Sequence, residues 1–495
     1  MYLRKEPTSV REELGKSLSR KKRKYKIMDN LGKHMQGGLT YTENDVLSHT
    51  TDLFRPIQQE VSMIDSNIIC VRPISMNQAG PYTFNITPKG EQYIHMNRIR
   101  LYIAGSVTSS TGAALTETDN VGVCNLLGNS LIQTIELEIG GKQIGELQNT
   151  HANYKSYLET LLSYGEEAKD SHLTCGFWVD DSAFEFDDCK YHLQSDEESE
   201  DANEAVEKRK KAGPHPLDSK NKGYRERRVN ILTPFDLMIP LHCDFFNSDK
   251  LLPPGVELVL KLTRAKDDFL LMQASDSKYR INLSSIKLYI PYITLAEPIV
   301  AAHKRMIQSG PILLPIKKTE ILVHHFAAGL TNVFIPNQFQ NRLPKSLIVG
   351  MLDTDSYNGT AKKNPYNFKH FSVNHVQIIK NGCAIPNDAY SPDWENKLYN
   401  RELRCFFDNI GVGTDNNPCS ISSKLYAGGC TFFAFDLSPD KCNGYHWHAR
   451  EEGGSIDIDL RFKEALPSGG MTVMLFAVFD AAVTIDKDNQ VAVAF

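Results

Sequence analysis

NSLIQTIELEIGGKQIGELQNTHANYKSYLETLLSYG, Asn129 to Gly165, is the stretch whose reading decides the fold. Its first part alternates. Ile135, Leu137 and Ile139 fall on one side and Glu136 and Glu138 on the other, the period expected of a strand with one buried face. Gly140-Gly141 tolerates positive φ at both central positions of a tight hairpin, so Lys142 to Leu147 reads as the returning strand. The period then changes. Tyr154, Tyr157, Leu158, Leu161 and Leu162 recur at helical spacing, with Asn149 or Thr150 placed to cap the N-terminus and Gly165 placed to take the left-handed position beyond the C-terminus. The spacing predicts a β-hairpin handing over directly to an amphipathic helix of roughly four turns.

Around this unit the chain has 495 residues, 41% of them hydrophobic and 23% charged, a globular composition too long for one ordinary core. No apolar run is long enough to span a bilayer, and the N-terminus has charge but no apolar signal region, so neither membrane insertion nor secretion is expected. Ten scattered cysteines with no CxxC pair read as buried free thiols. Asn85, Asn282 and Asn358 head glycosylation triplets that have meaning only in a secreted chain. Before Gln36, eleven basic residues against four acidic ones give that segment +7 and leave −12 for the rest of a chain whose total is −5. A basic arm on an acidic body lets the arm, and not the body, approach polyanions. Its cluster Arg20, Lys21, Lys22, Arg23, Lys24 and Lys26 suits a solvated tail, an import signal or a nucleic-acid contact. Met35-Gln36-Gly37-Gly38-Leu39 follows, read by itself as a hinge.

From about Asp52 short strands alternate with turns at Pro73, Gly80-Pro81, Pro88 to Gly90 and Ser109 to Gly112, the grammar of a β-sandwich or barrel. Glu166 to Arg228 is rich in acids and then bases, and is expected to be a long exposed insertion loop. Strands resume with Phe235 to Phe246, Val256 to Leu262 and Ile286 to Ile290. Pro298 to Gln308 reads as a helix with proline in its first turn. The second half repeats the strand grammar at Thr319 to His325, Asn332 to Ile335, Lys345 to Met351, Ser372 to Lys380, Thr431 to Asp436, Ile456 to Phe462 and Met471 to Phe479. The last two are expected to pair as a hairpin, and Met471 to Phe479, apolar on both sides, to be an inner or covered strand.

Chemical motifs are weak. His446 and His448 share a strand face and could ligate a metal with Cys442 or Glu451, but glycines and Trp447 suggest a loop. His324-His325 diverge, as do His242-Cys243-Asp244, and Asp457 with Asp459 reads as a solvated face before it reads as a glycosidase pair. No phosphate loop, nucleophile elbow or zincin motif occurs.

YLETLLSYGEEAKDSHLT, Tyr157 to Thr174, resembles the major capsid proteins of Polinton (Maverick) elements and their adintovirus relatives. The resemblance takes in the hairpin before it and the helix residues Asn149, Tyr154, Tyr157, Leu158, Glu159, Leu161 and Leu162. It continues through FDLMIPLHCDFFNSDKLLPPGVELVLKLTRAKDDFLLM, LAEPIVAAHKRMI and LPKSLIVGMLDTDSYNGTAKKNPYNFKHFSVNHVQIIKNGCAIP, the last carrying Asn358-Gly359 and Asn364-Pro365-Tyr366-Asn367-Phe368. It covers most of residues 55 to 390. The resemblance implies an all-β double jelly roll: two eight-stranded β-barrels, a short amphipathic helix in the first and a linker helix between them. The expected divisions are a basic arm at 1–50, a first jelly roll at 51–298 with the charged loop 166–228, a linker helix at 299–312 and a second jelly roll at 313–495.

It further implies a non-enzymatic subunit without a cofactor, forming homotrimeric pseudo-hexagonal capsomers of an icosahedral virion capsid assembled in the host nucleus or cytoplasm. Neighbouring capsomers, penton and minor capsid proteins would be its partners, and packaged DNA could meet the arm. Met35 to Gly38 resembles the recognition sequence of adenovirus-type maturation proteases, with cleavage after Gly38. Other classes with such a fold are glycan-active hydrolases and glycan- or receptor-binding modules, the latter expected to show Trp394, Tyr445 and Trp447 on loops.

Overall fold

The computed structural model describes residues 60–144, 148–191, 218–274, 278–412, 419–439, 441 and 453–494. The basic cluster Arg20 to Lys26, the segment Met35 to Leu39, and Cys442, Tyr445, His446, Trp447, His448 and Glu451 lie outside the described residues.

The first half holds β1 (Met63–Val71), β2 (Tyr82–Ile86), β3 (Tyr93–Ile94), β4 (Arg100–Ser109), β5 (Gly122–Val123), β6 (Ile132–Ile139), β7 (Lys142–Gln143), β8 (Phe235–Pro240), β9 (Leu258–Arg264), β10 (Leu271–Met272) and β11 (Tyr279–Leu295). They form antiparallel sheets of order β1-β11-β4-β8 and β2-β9-β6-β7, with β3 added to β11 and a small β5-β10 pair. The second half holds β12 (Ile312–Phe326), β13 (Asn332–Ile335), β14 (Ser346–Asp353), β15 (Val373–Lys380), β16 (Cys383–Tyr390), β17 (Phe432–Asp436), β18 (Ile456–Phe462), β19 (Met471–Ile485) and β20 (Val491–Ala494). Their orders are β12-β19-β14-β17, extended by β20, and β13-β18-β15-β16. The two halves therefore match strand for strand: the first, eighth, third and sixth strands of each barrel make one sheet, and the second, seventh, fourth and fifth make the other. This is a double jelly roll.

Alternation builds each strand. In β4, Leu101, Ile103 and Val107 are buried and the residues between them half-buried; in β18, Ile456, Ile458, Leu460 and Phe462 are buried behind Asp457, Asp459 and Arg461. Five helices matter here: α1 (Ala152–Ser163), α2 (Lys222–Asn230), α3 (Glu297–Met306), α4 (Thr354–Asn358) and α5 (Asn400–Asn409). Helices α1 and α5 occupy the same topological place, between the fifth and sixth strands of their barrels, and α3 stands between β11 and β12. No helix among the described residues is long and apolar enough to cross a membrane.

Several expectations need correction. The hairpin at Gly140-Gly141 forms, both glycines having positive φ, with Glu138 facing Gln143 and Ile139 facing Lys142. Helix α1, however, starts after His151, which makes no side-chain cap, and Gly165 has φ −83°, extended rather than left-handed. Nor is α1 amphipathic in its burial: Lys155, Ser156 and Thr160 are as buried as Tyr154 and Leu158, with Lys155 held by Asp244 of the first half and the tyrosines packed on Tyr357 and Tyr366 of the second.

The described parts of the stretch 166–228, expected to be an exposed loop, are folded. Trp178 and Phe186 are buried, and α2 is a helix whose N-cap Asn221 accepts from the N–H groups of Gly223 and Tyr224. Finally, β18 and β19 belong to different sheets, so residues 463–470 cross the barrel rather than close a hairpin. β19 is an inner strand between β12 and β14, as its apolar faces require.

Candidate functional site

The densest meeting of family-motif residues is the seam between the barrels, built on α1. Tyr157 stacks on Tyr366 with ring centroids 4.0 Å apart and on Trp178 at 5.5 Å. Tyr154 packs against Tyr357, Phe269 and Tyr366. Offset and edge-on contacts of this kind add about 0.5–1.5 kcal/mol per pair beyond area burial. Leu158 and Leu161 are buried and Leu162 half-buried, so α1 fills the space between the halves. Facing it, β19 and its neighbours turn Ile348, Leu352, Phe432, Met474 and Phe476 toward the seam, while Leu347, Val349, Phe433 and Leu475 fill their own barrel.

The segment Asn364 to Phe368 clasps the first half. The Asn364 N–H donates to Asp187 at 2.9 Å, the Asn364 amide to Asp181 at 3.2 Å and the Asn367 amide to Asp187 at 2.7 Å. Pro365 is buried, and the Tyr366 hydroxyl lies 2.6 Å from Ser130 Oγ. Gly429, at φ +140°, accepts the Phe368 N–H at its carbonyl and lets the Phe186 ring lie where any Cβ would collide. Gly359 ends α4 at φ +85° against Phe269, with Asn358 exposed beside it. Asn149 is buried and paired through its backbone with Ile135.

Two buried ion networks complete the seam. Arg227, fully buried, donates to the Val123 carbonyl at 2.9 Å, the Val179 carbonyl at 2.7 Å and Asp181 at 2.6 Å. Lys155 bonds Asp244 and lies 3.6 Å from Glu159, which in turn bonds His242 at 2.6 Å. Burial works against the Lys155 charge, but Asp244 and Glu159 outweigh it and push its pKa up. In Glu159, burial pulls toward neutrality, while Lys155 and the His242 hydrogen bond hold the carboxyl below its usual range.

These arrangements suit structure rather than turnover. His242, Cys243 and Asp244 do not converge: the outer two serve the network and burial pushes the Cys243 thiol up to about 11. Asp457 accepts the Asn337 N–H and Asp459 pairs with Arg461, so they hold no shared proton. His324 meets Gln338 and His325 meets Thr472. Among the described residues no group of three His, Cys, Asp or Glu is placed to hold a metal ion. Trp394 is not a loop footprint; it is half-buried, stacked on His370 and bonded to the Val373 carbonyl.

One surface stands out. The sheet β1-β11-β4-β8 is the counterpart of the sheet buried in the seam; at one end of β11, Ile293 and Leu295 pack with Val300 of α3, while elsewhere its outer face keeps apolar side chains exposed among the described residues. It carries Ile68 and Met238, 66% and 41% exposed, around Tyr102 and Tyr289, whose rings meet edge-on. Sequence alternation identified Leu101 and Ile103 of β4 and Ile286, Leu288 and Ile290 of β11 as inner residues; an apolar outer face was the signal left unread.

No family model matches the chain. An uncharacterized Caenorhabditis elegans protein is 22% identical over 421 residues, spanning 82% of this chain and 91% of that one. Among solved structures, the Faustovirus major capsid protein superposes with TM-score 0.55 at 10% identity, covering 96% of this chain and 99% of the other. The mavirus major capsid protein does so at 0.50 and 12% identity, covering 93% and 97%. The fold of this chain is that of the double jelly-roll proteins it superposes on.

Proposed function

We propose that this chain is the major capsid subunit of an icosahedral shell, assembling as homotrimers of pseudo-hexagonal outline. The observation that carries the reading is the pairing of two matched barrels in which one outer sheet face is buried against the α1 flank while its counterpart keeps Ile68 and Met238 exposed among the described residues. A heterologous contact repeats around a ring when its rotation closes. Here the open face Ile68, Tyr289, Tyr102, Met238 would meet the α5 flank of the next copy, and three copies would present six barrels. Neighbouring capsomers, penton and minor capsid proteins complete the shell, and a Polinton or adintovirus-like element is the proposed source. The divisions 1–50, 51–298, 299–312 and 313–495 are kept as its proposed parts, with the basic arm facing packaged DNA through salt-dependent contacts.

Purified full-length protein is expected to give hexagonal trimers by negative-stain imaging. Ile68→Asp with Met238→Glu is expected to give folded monomers, since exposed substitutions cost within about 0.5 kcal/mol of stability. A wild type that is monomeric at all concentrations would sink the capsid reading, and trimers that survive the double substitution would sink the assignment of the face.

Maturation by an adenovirus-type protease after Gly38 is part of the proposal, resting on Met35 to Leu39. Intact-mass measurement of shells assembled with such a protease is expected to show the subunit beginning at Leu39. Subunits retaining Met1 to Gly38 would refute cleavage.

A further inference from the structure

Two polar cavities of about 200 and 170 Å³ open on either side of one side chain, His151, at the point where α1 enters the seam. His151 is the N-cap residue of α1 and supplies no side-chain cap. Its Nε2 lies 2.9 Å from the hydroxyl of Tyr357, on α4 of the other half, and its Nδ1 lies 3.0 Å from Thr150 Oγ1. Tyr357 is in turn stacked on Tyr154 and lies against the His325 ring at 5.1 Å. The imidazole is thus a direct tie between the barrels, reached from two cavities.

We propose that His151 is an acid-sensitive latch: neutral, it ties the N-terminus of α1 to Tyr357 of the second barrel, and protonated, it loosens the seam. The charged groups around it are cations or carboxylates already paired with cations. On its own helix it stands at the positive end of the peptide dipoles, with Lys155 one turn on. From β12, Lys318 and Glu320 line the first cavity, already bonded to one another. In the second cavity the charged residue is Lys266. Tyr357 faces it from α4, and His325 of β12 lies against the Tyr357 ring. Asp244 and Glu159 are taken up by Lys155, and Glu320 is shared by Lys318 and Arg342, so each of these carboxylates already has a cationic partner. Protonation makes both ring nitrogens donors, so the Tyr357 hydroxyl and Thr150 Oγ1 must both accept, where the neutral ring donates to only one of them.

Burial lowers the His151 pKa below its usual 6.5. The unfolded or opened chain therefore binds the proton more readily, and the latch's contribution is complete above the ordinary histidine value and lost as pH falls through the folded one. Opening of the seam exposes α1 from both sides.

The test is backbone hydrogen exchange on the full-length protein at about pH 7.5 and about pH 5, corrected for the intrinsic rate. Protection of α1 (residues 152–163) is expected to fall about fivefold or more in the wild type and to change less than about twofold in His151→Gln. An equal fall in both proteins, or none in the wild type, overturns the latch. Exchange at the imidazole carbon of His151 in the unsubstituted protein gives its titration midpoint directly, so the proposal is decided even if His151→Gln fails to fold. A midpoint at or above that of an exposed histidine overturns it.

Discussion

Arg227→Met is expected to lower unfolding free energy by about 3–5 kcal/mol, the loss typical of breaking a buried pair from one side. Arg227 is fully buried on α2, and Asp181 beside it is nearly so. Its removal leaves the carbonyls of Val123 and Val179 without their donor and Asp181 with only the amides of Asn221 and Asn364. Methionine fills much of the volume but supplies no donor, so the cost is desolvated charge rather than a cavity. Because Asn364 belongs to the second half, the loss reaches the clasp between barrels. Urea unfolding followed by circular dichroism reads this as a lower midpoint at unchanged slope. Lys222→Met, which removes an exposed cation of the same helix paired at 3.7 Å with Glu226, is the control and is expected to cost less than about 0.5 kcal/mol. A loss below about 1 kcal/mol for Arg227→Met would show that the network does not hold the seam.

That same helix marks where sequence reading stopped. KGYRERRVN has the composition of a solvated segment, and nothing in one sequence tells a charge destined for water from one destined for Asp181. Strands with one buried face were legible to the residue, as at Asn332–Ile335 and Ile456–Phe462. β16 was not, because an edge strand with half its residues exposed, one buried and Pro386 within it shows no alternation. Helix α5 did leave a trace: Leu403, Phe406, Phe407 and Ile410 stand at i, i+3, i+4 and i+7. The seam itself was legible only as motif residues, since Tyr157 and Tyr366 are 209 positions apart and no local period reports that their rings will stack. The matching of the two barrels is likewise invisible as a repeat, because jelly-roll topology constrains which positions are apolar and leaves the letters free.

Lys155→Met is the other substitution expected to be costly, again about 3–5 kcal/mol, and its cause can be separated by a second change. Lys155 and Asp244 are each about 1% exposed and bonded directly, with Glu159 at 3.6 Å on the next turn. Without the ammonium, Asp244 loses the partner of one carboxylate oxygen, and its other oxygen is already buried without a hydrogen bond. Glu159 keeps His242. A buried carboxylate in that position must either stay charged without a counterion or take up a proton, and both weaken the fold near neutral pH. Adding Asp244→Asn removes the stranded charge while keeping a side chain of nearly the same shape. The double variant is therefore expected to recover at least about 2 kcal/mol of the loss, a coupling that independent sites do not show. The sign also changes with pH. The single variant should gain relative to wild type as acid neutralises Asp244, whereas the double variant should track the wild type more closely. If the two substitutions add without recovery, Lys155 acts through packing of its chain rather than its charge. The seam would then be held by the tyrosine stack, with the ion network a passenger in it.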